Sequence, residues 1–147
     1  ISKAECWATG HDATILHTND SGKTWTKQYE DIDFDAPLLS IHMYDNGEGI
    51  AIGAFALSLR TTDGGQSWGY LFMDDDDFQP HFNYAYGDSQ AWRKSSANEA
   101  YAVGEIGKYY ISDDKGLNWL VVSTGYDGSY WSGIKVDEGK SLLLGMS

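Results

Sequence analysis

At 147 residues, 41% hydrophobic and 22% charged, the chain carries enough apolar material for one packed domain and too little charge to stay disordered. Its 22 Asp and Glu against 10 Lys and Arg give a net charge of -12, which repels phosphate backbones and anionic bilayers and argues against a nucleic-acid partner. No apolar run approaches the roughly 20 residues that span a bilayer, so direct membrane insertion is not expected either.

With 17 Gly but only 2 Pro, and with 6 Trp and 10 Tyr, the composition favours short strands joined by tight corners, an all-β chain. The single Cys6 forms no internal disulfide or zinc knuckle and reads as a small core residue. Next come a strand pair around a Gly turn, "WATGHDATILHT" (7–18), and the turn "TNDSGKTW" (18–25), followed by the acidic linker "EDIDFDAP" (30–37). The second unit shows four strands: "LLSIHMYD" innermost, then "GIAIGA", "LSLRTT" and an outer "SWGYLF" opening with Trp. Its Asp turn is "TTDGGQSW" (61–68) and its linker "MDDDDFQP" (73–80). After a polar stretch, the third unit gives "YAVGEIGKYYIS" (101–112), "SDDKGLNW" (112–119) and the linker "TGYDGSYW" (124–131). A fourth begins at "LLLGMS", with Gly145 at the Gly position.

The register agrees in all three turns: Gly10 precedes Asp20, Gly53 precedes Asp63 and Gly104 precedes Asp114 by ten residues. The Trp residues fall 43 and 51 positions apart, the period of a propeller blade. Four-stranded antiparallel blades are therefore expected, in units of about 1–35, 36–78, 79–128 and an incomplete 129–147, forming one partial β-propeller domain over 1–147. Within each turn the Asp carboxylate can accept from backbone N–H groups, Gly can take a positive φ and Trp offers apolar area to a neighbouring sheet. Asp20, Gly22, Trp25, Asp63, Gly65, Trp68, Asp114, Gly116 and Trp119 thus read as structural, since a catalytic residue is needed once and these recur.

In such a meander the linkers and the second-to-third turns share one end, and the Asp turns occupy the other. Counting eight residues past each Trp gives Asp33, Asp76 and Asp127, and the turns, which hold Ala54 and Phe55 in the second unit, add His11, Asp12 and Glu105. These six form a candidate partner-binding rim, with solvated loop charge as the simpler alternative. Asp31, Asp33 and Asp35 alternate like a calcium loop, yet Ala36 and His42 stand where Gly and Glu are required, so no EF-hand is expected. Weak calcium binding by Asp74 to Asp77 is left open, and otherwise no metal or cofactor is expected.

The turns "TNDSGKTW", "TTDGGQSW" and "SDDKGLNW" resemble the Asp-box, or BNR, repeat of β-propellers. With their flanking strands they look most like the photosystem II stability/assembly factor-like propellers, a branch also found in bacteria that do not photosynthesise. The resemblance implies a non-catalytic assembly factor, and a full propeller roughly twice this length. It also implies an Arg-rich docking face in photosynthetic members, whereas only Arg60 and Arg93 occur here. Asp-box sialidases need three Arg about a substrate carboxylate, which two cannot supply, and xyloglucan-hydrolysing relatives build their cleft between two propellers. A glycosidase or carbohydrate binder remains the alternative, with Trp7, Trp92 and Trp131 as candidate stacking rings. The expected function is a scaffold that docks a protein partner in an envelope or membrane complex, such as a transporter. An exported, periplasmic location is expected although no signal sequence is visible, in either a longer chain or a homo-oligomeric ring.

Overall fold

The computed structural model describes residues 4–74, 79–87, 98–137 and 140–146. Among them the chain forms strands and no helix. The first sheet contains β1 (Cys6–Thr9), β2 (Ile15–Thr18) and β3 (Thr26–Tyr29); the second contains β4 (Leu38–Met43), β5 (Gly49–Gly53), β6 (Ser58–Thr61) and β7 (Gly69–Tyr70). The third contains β8 (Phe82–Gly87), β9 (Ala100–Gly104), β10 (Lys108–Ser112) and β11 (Leu120–Ser123), and the fourth pairs β12 (Ser129–Asp137) with β13 (Lys140–Met146). Each strand pairs antiparallel with its sequence neighbour in the same sheet. Stacked four-stranded meanders of this kind are the blades of a β-propeller, with about three blades present and the start of a fourth.

Burial explains the strand sequences. The strands β5 and β9 are buried at every residue, since a sheet packs on each of their faces, and both are accordingly small or apolar throughout: GIAIG and AYAVG. Between the first two sheets lie Ile15, Leu38, Ala51, Leu57 and Leu59, with Trp7 and Trp68 against them. Between the second and third lie Tyr44, Ile50, Ile52, Phe82 and Tyr110, with Trp119 packed alongside. The third interface is built on tyrosine: Tyr101 stacks on Tyr86 at 5.3 Å and on Tyr109 at 5.9 Å, while Tyr130 and Leu143 approach from the fourth sheet.

Two expectations need correction. Cys6 is exposed and not a core residue, because alternation along β1 turns Trp7 toward the second sheet and Cys6 away from it. The Trp residues do not open the outer strands; Trp25, Trp68 and Trp119 each stand one residue before β3, β7 and β11. Trp25 and Trp119 are still tied to their turns, since each indole N–H donates to the carbonyl of Gly22 or Gly116 at 3.1 and 3.0 Å.

Ile50 is fully buried between the second and third sheets. Replacing it with Ala should cost about 2–5 kcal/mol through lost transfer energy and a residual cavity. Urea unfolding should show a lowered midpoint; a midpoint equal to that of the parent would contradict the packing described.

Candidate functional site

The two ends of the strands differ in chemistry. At one end, each Asp turn closes on itself. The Thr61 hydroxyl donates to Asp63 Oδ1 at 2.9 Å and accepts from the Gly65 N–H at 3.0 Å. Ser67 supplies its backbone N–H to Oδ1 at 2.9 Å and its hydroxyl to Oδ2 at 2.5 Å. Thr18, Asp20, Gly22 and Thr24 repeat this pattern, as do Ser112, Asp114, Gly116 and Asn118. A hydroxyl or an amide serves equally at the last position, because either donates to Oδ2.

These bonds set both backbone and charge. Ser21, Gly64 and Lys115 have positive φ, as do Gly22, Gly65 and Gly116 after them. A Cβ on Gly116 would stand 2.5 Å from Ile50 Cγ2, and one on Gly65 would overlap the Gln28 amide, so each turn presses backbone onto the preceding sheet. Gln28 completes that contact in the first pair, accepting from the Trp7 indole at 2.9 Å and donating to Gly64 O at 3.1 Å. The Ser67 side chain and backbone hold Asp63 down at about 2, and Thr24 does the same for Asp20. For Asp114, burial pushes upward but is outweighed by the backbone and side-chain donors of Asn118, leaving the group lowered.

At the other end, the second-to-third turns have two successive positive φ values: Asp12 and Ala13, Phe55 and Ala56, Ile106 and Gly107. That is the pattern of a hairpin turn matched to strand twist. The second residue of each pair donates its N–H to a linker, from Ala13 to Ala36 O, Ala56 to Pro80 O and Gly107 to Gly128 O, each at 2.9 Å. Turns and linkers therefore share one rim.

The expected rim residues divide. His11, Asp33 and Asp127 are exposed there, and Asp12 is half-buried. Glu105 turns back, its Oε2 accepting from the His81 N–H at 3.0 Å. Asp76, with Asp75 and Asp77, lies outside the described residues. Asp74 is drawn inward: its Oδ2 receives Lys108 Nζ at 2.6 Å and the Tyr110 hydroxyl at 3.0 Å. No group of three or more potential metal ligands converges among the described residues.

Apart from Phe55, the acidic reading missed the apolar side chains interleaved with these acids. Ile32, Phe34, Phe55, Phe72 and Ile106 are all exposed on the linkers and turns, Phe72 by 81%. One signal was available: Phe55 and Ile106 occupy the register position of Asp12, the first positive-φ residue, where bulky side chains are disfavoured. Other candidates fall elsewhere. Trp7 packs beside the core and on His17, with ring centroids 4.7 Å apart, while Trp92 and Arg93 lie outside the described residues. Arg60 pairs with Glu48 at 2.8 Å, and His42 is buried, which pushes its imidazole down to about 4 and keeps it neutral.

The family model described as "Photosynthesis system II assembly factor YCF48" matches residues 1–139. Among curated proteins, the photosystem II assembly lipoprotein Ycf48 of Synechococcus sp. (strain CC9902) is 33% identical over 75% of this chain and 31% of its own length. The chloroplastic photosystem II stability/assembly factor HCF136 of Arabidopsis thaliana is 29% identical over 84% of this chain and 33% of its own. A solved structure of YCF48 bound to D1 peptide superposes with a TM-score of 0.63 at 28% identity, covering 81% of this chain and 37% of that one. An ancestral GH74 enzyme, at 16% identity and a TM-score of 0.58 over 80% of this chain and 17% of its own, shows the fold alone. The chain spans about a third of the length of the curated relatives it matches.

Because Asp20 and Asp63 are held at about 2 in the folded state, below the ordinary 3.8, their contribution to stability is present above about pH 4 and is lost as pH falls through about 2. Asp63→Asn should flatten the acid limb of the stability profile in that window. Denaturant midpoints measured from pH 5 to pH 2 check this, and an unchanged slope would contradict it.

Proposed function

Because the chain belongs to the photosynthesis system II assembly factor YCF48 family, we propose that it is part of a non-catalytic scaffold that docks a protein partner through the linker rim of its blades. The observation that carries this reading is the pairing of exposed apolar side chains with acids at that rim, while the carboxylates of the Asp turns are occupied by their own turns. A purely solvated acidic face has no use for Phe72, Ile32 and Phe55 held in water. The Asp turns then serve a structural role, holding each blade to the one before it.

The net charge of -12 and the two Arg favour a basic partner surface over the one implied for photosynthetic members. A subunit of an envelope or membrane complex, such as a transporter, suits that chemistry, and the lipoprotein nature of the Synechococcus relative supports an exported location. The reading needs no cofactor. Calcium binding by Asp74 to Asp77 would first have to release Asp74 from Lys108. On the fourth sheet Ile134, Val136, Leu142 and Leu144 are exposed, and further blades of a longer polypeptide cover them in this reading, a ring of copies being the alternative. Trp131 stands on the same hairpin, where a neighbouring sheet suits it better than a sugar.

The test is affinity capture from solubilised envelope fractions with the natural full-length protein and with an Asp33→Asn, Asp127→Asn, Ile106→Ser variant. One membrane-complex subunit should be enriched by the parent, and its recovery should fall about tenfold or more with the variant. Equal recovery by both, or hydrolysis of a chromogenic glycoside by the purified protein, would contradict the proposal.

A further inference from the structure

One part of the rim is a shaped groove. It is lined by residues 55–58 and 70–74 with Gln79 and Phe82, and Phe34 joins it from the linker 30–37, so that the Phe34, Phe55, Tyr70 and Phe72 rings surround it. Its volume of about 290 Å³ falls just under the range of drug-sized sites and suits one or two amino-acid side chains.

Three of the four rings around it have partners in the fold before anything binds. Tyr70 donates its hydroxyl to Asp31 Oδ2 at 2.5 Å, and its ring lies 6.1 Å from Phe34. Phe55 sits at φ 55°, a conformation costly for an aromatic residue, with its ring edge-on to His81 at 4.8 Å. Fixed walls reduce the ordering cost of binding.

The surroundings narrow the occupant. Asp33 and Asp35 are exposed on the same linker that supplies Phe34, so a basic segment is attracted and an anionic lipid surface repelled. The strand β7 is the last strand of its sheet, and its outer edge has no strand beside it among the described residues. An extended chain can add to such an edge through backbone hydrogen bonds while its side chains enter an adjacent pocket.

We propose that this groove seats an apolar side chain of an extended peptide segment flanked by Lys or Arg, with the Phe34, Tyr70 and Phe72 rings receiving the anchor and Asp33 and Asp35 facing the basic flanks. The assignment rests on the docking reading above and specifies its chemistry.

The probe is a fluorescein-labelled peptide, Arg-Lys-Phe-Thr-Leu-Lys-Arg, compared by fluorescence anisotropy with the same peptide carrying Ser for Phe and Leu. The parent protein should bind the first saturably and the second about tenfold or more weakly. Phe72→Ser should produce a similar loss; Phe72 is 81% exposed, so its removal leaves the core intact. Asp33→Asn with Asp35→Asn should also weaken binding and flatten its salt dependence. Equal binding of both peptides, or full binding by the Phe72→Ser protein, would show capture by the acids alone and overturn the groove while leaving rim docking standing. Absence of binding to the parent would overturn the groove assignment, with envelope capture still deciding the broader reading. Sedimentation covers the remaining occupant: self-association of the parent abolished by Phe72→Ser would place a second copy in the groove and overturn the peptide assignment.

Discussion

In each Asp turn a carboxylate has its hydrogen bonds satisfied inside the turn, and in the second and third turns a glycine of that turn meets the preceding blade. In the Asp63 turn the hydroxyl of Thr61 sits between carboxylate and backbone, donating to one and accepting from the Gly65 N–H. With Asp63 and Thr61 so engaged, Gly65 is fixed at positive φ and its bare Cα can lie against Gln28 of the first sheet. Gly116 repeats the contact on Ile50 of the second sheet. A side chain at Gly116 would press on the buried Ile50, and one at Gly65 would displace the Gln28 amide from its bonds to Trp7 and Gly64. That network adds to the apolar clusters that fill the interfaces between the sheets.

Because the turns secure the blades from one end, the other end is free to vary. The hairpin corners there keep a common backbone, two positive φ values and one N–H given to a linker, while the outward residue changes from Asp12 to Phe55 to Ile106. A constant frame with a changing side chain is how loops on a rigid scaffold acquire binding specificity. Holding Phe and Ile in a left-handed conformation and in water costs stability, and a docking role gives that cost a purpose.

Much of this was legible in the sequence because turn chemistry is local. The spacing from Ser or Thr through Asp and Gly to Trp lies within eight residues, and the Gly-to-Asp interval fixes where the preceding strands begin. What could not be read depends on distant residues. Asp74 belongs to an acidic run and looks solvated, but Lys108 and Tyr110, more than thirty positions away, draw it between two blades. Cys6 was misplaced because one residue of alternation decides which face of β1 meets the second sheet. The aromatic groove joins a linker, a hairpin corner, the end of an outer strand and the start of β8 from four separate stretches, and only the fold brings them together.

The central claim is that the Asp turns build the molecule while the opposite rim acts for it, and amide hydrogen exchange on the Asp63→Asn protein tests it most directly. The account predicts faster exchange in segment 61–68 and at its contact around Gln28, with the rim segments 30–37 and 54–57 keeping the protection of the parent. Uniform loss of protection at both ends, or a change confined to the rim, would show that the two ends are not separable and would contradict the account.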